Sequence, residues 1–132
     1  VHRTYCLELI LGKPATIRIG KLGTFKFQKG YYIYVGSART HMQQRIARHL
    51  KRKKKRFWHI DYLIPHTRVH ALWVSTLSEQ RIVALFARDL ESPVRTFGAS
   101  DTKNVSHLFF SKARLKQGRY PLSRLTRPKK RV

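Results

Sequence analysis

The strongest constraint on the fold lies between Thr4 and Ser37, where short apolar and β-branched runs alternate with glycine-marked turns. Thr4-Tyr5-Cys6-Leu7-Glu8-Leu9-Ile10-Leu11 reads as a strand. Gly12-Lys13-Pro14 breaks it, because Pro has no N–H to give a ladder. Thr16 to Ile19 and Thr24 to Phe27 alternate apolar and polar residues around Gly20-Lys21-Leu22-Gly23, a hairpin signature. Gly30 opens Tyr31-Tyr32-Ile33-Tyr34-Val35 and Gly36-Ser37 ends it; aromatic and β-branched side chains suit a pleated surface.

The period then changes. Thr40 and Gln43 have the spacing of a capping box. Met42, Ile46 and Leu50 make one apolar stripe of a helix, and Arg45, His49 and Arg52 make another face. This helix is expected to run into the cations that follow. Phe57 to Ile64 reads as a short helix or turn packed on the sheet and stopped by Pro65, and Val69 to Thr76 as a strand. Ser78 can cap a helix from Glu79 to about Leu90, with Ile82, Val83, Leu85, Phe86 and Leu90 on its buried side. Leu108-Phe109-Phe110 is a last short strand. The pattern predicts an α/β fold: a small mixed or antiparallel sheet with flanking helices over residues 1–113, followed by a basic extended tail over 114–132.

With 132 residues and 42% hydrophobic side chains, one domain with its own core is the expectation. The single cysteine, Cys6, excludes an internal disulfide and a cysteine-rich zinc finger. No apolar run reaches the ~18 residues of a membrane span. Glu8 interrupts the only early apolar stretch, so no secretory leader is expected, and a cytoplasmic protein is.

Charge narrows the partner. Twenty-nine Lys and Arg against six Asp and Glu give a net +23. Such a chain repels itself unless a polyanion neutralises it, and nucleic acid is the usual polyanion. The cations are clustered. Lys51-Arg52-Lys53-Lys54-Lys55-Arg56 is unbroken, and no acid follows Asp101 while Arg114, Lys116, Arg119, Arg124, Arg127, Lys129, Lys130 and Arg131 continue to the end. A membrane surface would require an amphipathic basic helix with an inserting face, and the tail has too few large apolar residues for one.

With so few acids each can be weighed. Asp89 and Glu91 close a helix and read as solvated surface; Glu8, between Leu7 and Leu9, is expected to face out of the sheet. Asp61, among apolar residues, is expected to accept structural hydrogen bonds. Glu79 starts on the apolar stripe at a helix N-terminus, where on its own it is an ordinary first-turn carboxylate.

Read together, several blocks carry more. Arg3-Thr4-Tyr5, Tyr34-Val35-Gly36-Ser37, Arg45 with His49 one turn later, and Glu79 opening a helix resemble the GIY-YIG nuclease superfamily. Gly30 to Ala38, Arg45-Ile46-Ala47-Arg48-His49-Leu50, Trp58-His59-Ile60-Asp61-Tyr62-Leu63 and Ser106-His107-Leu108-Phe109 resemble its small DUF123 branch, whose members occur alone or fused to DNA-repair enzymes. The resemblance implies a central sheet flanked by helices and one divalent metal, with Glu79 holding Mg²⁺ or Mn²⁺. It further implies that Tyr5 helps to activate a water, Tyr34 orients the site, Arg45 neutralises the scissile phosphate, and His49 assists proton transfer or phosphate binding. The chain departs from the pattern in three ways: Arg3 replaces the glycine that opens the first motif, the stretch from Tyr34 to Arg45 is about one residue longer, and Thr102 and Asn104 stand where DUF123 proteins often carry cysteines.

Two classes of function follow. One is a metal-dependent endonuclease acting on DNA. The other is a non-catalytic RNA-binding protein, associated with ribosomal RNA, built on a nuclease-like fold. The first is expected from the set Tyr5, Tyr34, Arg45, His49 and Glu79; the second from the size of the charge.

Overall fold

The computed structural model describes residues 1–39, 41–51, 56, 58–98 and 106–125. In chain order the elements are β1 (Thr4–Leu11), β2 (Ala15–Arg18), β3 (Thr24–Phe27), β4 (Gly30–Ser37), α1 (Met42–Leu50), α2 (Ile60–Leu63), β5 (Arg68–Ser75), α3 (Glu79–Asp89), β6 (Leu108–Ser111) and β7 (Ser123–Arg124). Five strands form one antiparallel sheet in the order β6-β4-β1-β5-β7, and β2 pairs with β3 as a separate hairpin. This is the α/β architecture read from the sequence. No described helix is long and apolar enough to cross a membrane.

β1 is the central strand, flanked by β4 and β5, and side chains cover both of its faces. On one, Leu7, Leu9 and Leu11 pack with Tyr32, Ile60, Leu63 and Phe97. On the other, Cys6 packs with Ile33, Val35, Trp73 and Phe109, beneath Ile82, Val83 and Phe86 of α3. Each large apolar side chain so buried contributes about 1.5–3 kcal/mol. Ser78 starts α3 as expected, its Oγ accepting the Arg81 N–H at 3.3 Å.

Several expectations are corrected. β4 does not stop at Val35; it continues through Gly36 and Ser37, which pair with Tyr5 and Thr4. α1 stops at Leu50 and Lys51 turns extended, so the helix does not continue into the basic block. Within α1 the buried residue is His49, while Leu50 is 48% exposed. At 3.6 residues per turn His49 returns to within about 20° of Met42, whereas Leu50 lies about 80° away. Of the expected capping pair, Thr40 lies outside the described residues, while Gln43 lies within α1, where the cap position is held by His41 without a side-chain cap.

Glu8 does not face solvent: it is fully buried and accepts from Trp73 Nε1–H at 2.9 Å and from the Leu115 N–H at 2.8 Å. A central strand covered on both faces has no solvent side for an alternating polar residue. Leu115 marks the other correction. The segment from Arg114, expected as an extended tail, packs onto the sheet through buried Leu115 and Leu122 and pairs with β5 as β7. Residues 126–132 lie outside the described region.

Candidate functional site

The motif residues meet at the end of the sheet where β1 begins and β4 and β5 finish. Tyr5 lies between Gly36 of β4 and Val74 of β5. Its ring lies directly over Gly36: a Cβ there would overlap Cζ and stand 2.7 Å from Cε2. This close approach, rather than any turn, is why glycine occupies position 36. Two residues back along β4, Tyr34 presents its ring to the same face, 6.5 Å from that of Tyr5.

α1 covers this face by laying Met42 and Ile46 on Tyr5, Ala38 and Val74. That packing carries His49 inward. Its Nε2 lies 2.7 Å from the Tyr5 hydroxyl, and its ring is 5.8 Å from both Tyr5 and Tyr34. Behind His49 stands Trp58, with ring centroids 5.5 Å apart. The guanidinium groups of Arg48 and Arg45 lie 5.1 and 5.8 Å from the Trp58 ring centre. Asp61 organises this wall: its buried Oδ2 accepts from Arg48 and from the Trp58 N–H, each at 2.8 Å. That is the structural role expected for Asp61.

The opposite wall is the start of α3. Glu79 Oε2 lies 3.1 Å from His107 Nδ1, which also lies 3.1 Å from the Val35 carbonyl. An Nδ1 facing two acceptors carries the proton and donates. Gly98 (φ +69°) closes the space between the walls; a Cβ there would come within 3.2 Å of the Tyr34 ring and 3.5 Å of His107 Cβ. Its N–H donates to His59 Nδ1 at 2.8 Å.

The electrostatics follow from burial. Burial pushes the Tyr5 hydroxyl well above the usual tyrosine range, with Tyr34 and Glu79 adding to the rise and Arg45 opposing it. Tyr34 is pushed up to about 12 by burial and Glu79, again against Arg45. Both tyrosines are therefore phenols at neutral pH, and both respond to Glu79 and Arg45. Burial disfavours charge on His107, but its hydrogen bonds to Glu79 and the Val35 carbonyl outweigh this and raise its pKa. Burial lowers that of His59.

The donor set can be tested against a divalent cation. Among the described residues no three His, Cys, Asp or Glu side chains converge. Among the described residues the cluster offers one accessible carboxylate, Glu79, whose side chain is 32% exposed and oriented by His107, whereas that of Asp61 is fully buried and engaged by Arg48 and the Trp58 N–H. One carboxylate completed by waters and a substrate phosphate is a set that Mg²⁺ accepts, so the residues fit such an ion, held by Glu79.

Tyr5, Tyr34, Arg45, His49 and Glu79 are thus brought together around one space. The cations expected to bind nucleic acid are dispersed: Lys51 is exposed after α1, Arg56 lies over the Tyr62 ring, and Arg114, Lys116, Arg119 and Arg124 are exposed on the C-terminal segment. Arg52, Lys53, Lys54, Lys55, Arg127, Lys129, Lys130 and Arg131 lie outside the described residues. Sequence reasoning assigned no role to His107 or Trp58. Each sat in a motif block, Ser106-His107-Leu108-Phe109 and Trp58-His59-Ile60-Asp61, but only the fold sets them against Glu79 and His49.

Comparison with known proteins gives one match: a family described as "Domain of unknown function DUF123" covers residues 4–126. No curated protein and no solved structure matches the chain.

Proposed function

The chain belongs to the DUF123 family, and we propose that it is a nucleic-acid-binding endonuclease of the GIY-YIG type, hydrolysing phosphodiester bonds with a divalent cation at Glu79. One observation carries this reading: five chemically suited side chains, spread from position 5 to position 79, converge on the space bounded by β1, α1 and the start of α3.

Each residue has a definable task. Arg45, free of any carboxylate partner in the described contacts, neutralises charge on the phosphate. The Tyr34 phenol orients the reacting group by hydrogen bonding. Tyr5 and His49 share a proton across 2.7 Å, so that a proton taken at the hydroxyl can be passed to the imidazole. His107 fixes the Glu79 carboxylate. Mg²⁺ or Mn²⁺ held there would supply compensation for charge developing in the transition state and lower the pKa of a bound water.

A second reading, a non-catalytic RNA-binding protein of the ribosome, is favoured by a specific observation. Tyr5 is 1% and His49 0% exposed, as in a structural hydrogen bond sealed in a core. The two readings part on incubation of the purified chain with branched DNA, linear duplex and structured RNA in Mg²⁺ or Mn²⁺. Defined cleavage products abolished by a chelator support the enzyme. Intact substrates, together with salt-resistant RNA binding, support the second reading.

A further inference from the structure

After β6 the chain crosses the sheet to reach its far edge, where Ser123 and Arg124 pair with Val74 and Trp73. Three contacts fix this crossing. Leu115 and Leu122 are buried beside Trp73 and Phe86, the Leu115 N–H is held by the buried Glu8 carboxylate, and the Leu125 N–H reaches the Leu72 carbonyl at 2.8 Å. A segment anchored at both ends holds its cations in place instead of leaving them to a loose tail.

Between this segment and β5 is a cleft of about 330 Å³, floored by Trp73 and Leu115 and rimmed by His70, Arg114, Lys116 and Arg124. His70 comes to the rim through a local irregularity. Glu8 pairs with Ala71 and Leu9 with Val69, leaving His70 as the extra residue of a bulge; its ring packs edge-on against Tyr31, 5.5 Å away. Among the described residues no acidic side chain lines the cleft. Two acids lie close to the segment and both are engaged: the buried Glu8 carboxylate lies beneath the floor, accepting from Trp73 Nε1–H and the Leu115 N–H, and Asp89 accepts from the Tyr120 hydroxyl at 2.9 Å.

From this geometry we infer that the cleft rimmed by Arg114, Lys116, Arg124 and His70 is a second, preorganised binding site for the phosphate backbone of nucleic acid, separate from the Tyr5–Glu79 cluster. Three cations from one anchored segment, facing His70 of β5 around one concavity with no acid at the rim among the described residues, match a row of phosphates. The separation implies a substrate long or bent enough to touch the β5–β7 edge while a phosphodiester occupies the other site. This inference rests on the nucleic-acid-binding part of the proposed function and not on catalysis.

The test compares two triple variants of the whole chain by fluorescence anisotropy with a labelled RNA hairpin, in metal-free buffer over a range of salt. One is Arg114→Gln, Lys116→Gln, Arg124→Gln. The other removes equal charge from the exposed hairpin cations: Lys21→Gln, Lys26→Gln, Lys29→Gln. The cleft triple should lower the magnitude of the log K against log[salt] slope by about 2–3 and weaken binding about 10–100-fold near 0.15 M salt. Arg124→Gln alone should take about a third of that slope change. The hairpin triple should do much less. Equal effects from the two triples would make the cleft no more than part of a diffuse positive field and overturn the assignment. So would a cleft triple that binds the hairpin normally but loses binding to phosphatidylserine vesicles. Because binding is read without metal, a failure to detect cleavage leaves this result standing.

Discussion

The Tyr5 hydroxyl and His49 Nε2 lie 2.7 Å apart across a separation of 44 residues, with both side chains removed from solvent. The contact joins the first strand to the first helix at the motif end of the sheet. It also constrains the chemistry. Burial holds Tyr5 as a phenol, so it cannot act at neutral pH as a preformed phenolate. Any proton it takes must be matched by one it yields, and His49 is the group in contact to receive it.

Gly36 is the seat of the Tyr5 ring. Gly36→Ala should destabilise the protein by about 1–3 kcal/mol, since the ring and two paired strands must shift. Gly12→Ala is the matched control, because a Cβ at Gly12 meets nothing within 4 Å. It should be neutral within about 0.5 kcal/mol or slightly stabilising. Urea denaturation of both variants checks this; equal stabilities would remove the packing argument for the glycine.

Glu8 tethers the C-terminal segment. Glu8→Ala leaves the Trp73 indole N–H and the Leu115 N–H buried without their acceptor. At about 1–3 kcal/mol for each donor, the total loss should be roughly 2–6 kcal/mol. Glu91→Ala, at an exposed acid, should change stability by no more than about 0.5 kcal/mol. Trypsin should also cut faster after Lys116 and Arg119 in Glu8→Ala. An unchanged cleavage rate there would show that the segment is held without Glu8.

His59 should make stability depend on pH. Its folded pKa is lowered by burial, and its Nδ1 must stay unprotonated to accept the Gly98 N–H. The stability it contributes is therefore complete above the unfolded value of about 6.5 and is lost as pH falls through the lower folded value. Asn can accept the same bond and does not titrate. Compared with His59→Asn, the wild type should lose stability between about pH 7.5 and about pH 5. A constant difference between the two proteins would contradict the assignment.

How far the sequence could be read depended on whether a signal was local. β1, the β2–β3 hairpin, β5 and the Ser78-capped α3 were legible because period, turn residues and cap lie within a few positions of one another. Tyr5, Tyr34, Arg45, His49 and Glu79 were legible as a set only through ordered motif blocks, since nothing local distinguishes Tyr5 from a sheet aromatic. Alternation alone misplaces Glu8 on a solvent face, because pairing on both sides of β1 with cover on both faces denies it one. The packed segment after Arg114 was illegible for a related reason. Leu115 and Leu122 are too sparse to make a pattern, and what anchors them is a carboxylate more than a hundred residues earlier. His107 likewise acquires meaning only when β6 brings it to Val35 and Glu79.

The most direct test of the catalytic account is Glu79→Gln beside wild type, reading cleavage and binding on the same branched DNA, linear duplex and structured RNA with Mg²⁺ and with Mn²⁺. The substitution keeps the size of the side chain and an acceptor for His107 but removes the charge that would hold the metal. The helix should lose only about 0.3–1 kcal/mol of favourable dipole interaction. The account predicts that wild type cleaves, that the variant is slower by several orders of magnitude, about 10³-fold or more, and that its nucleic-acid affinity is equal or slightly higher. A variant that cuts as fast as wild type, or a wild type that binds RNA tightly and cuts no substrate with either metal, would contradict it.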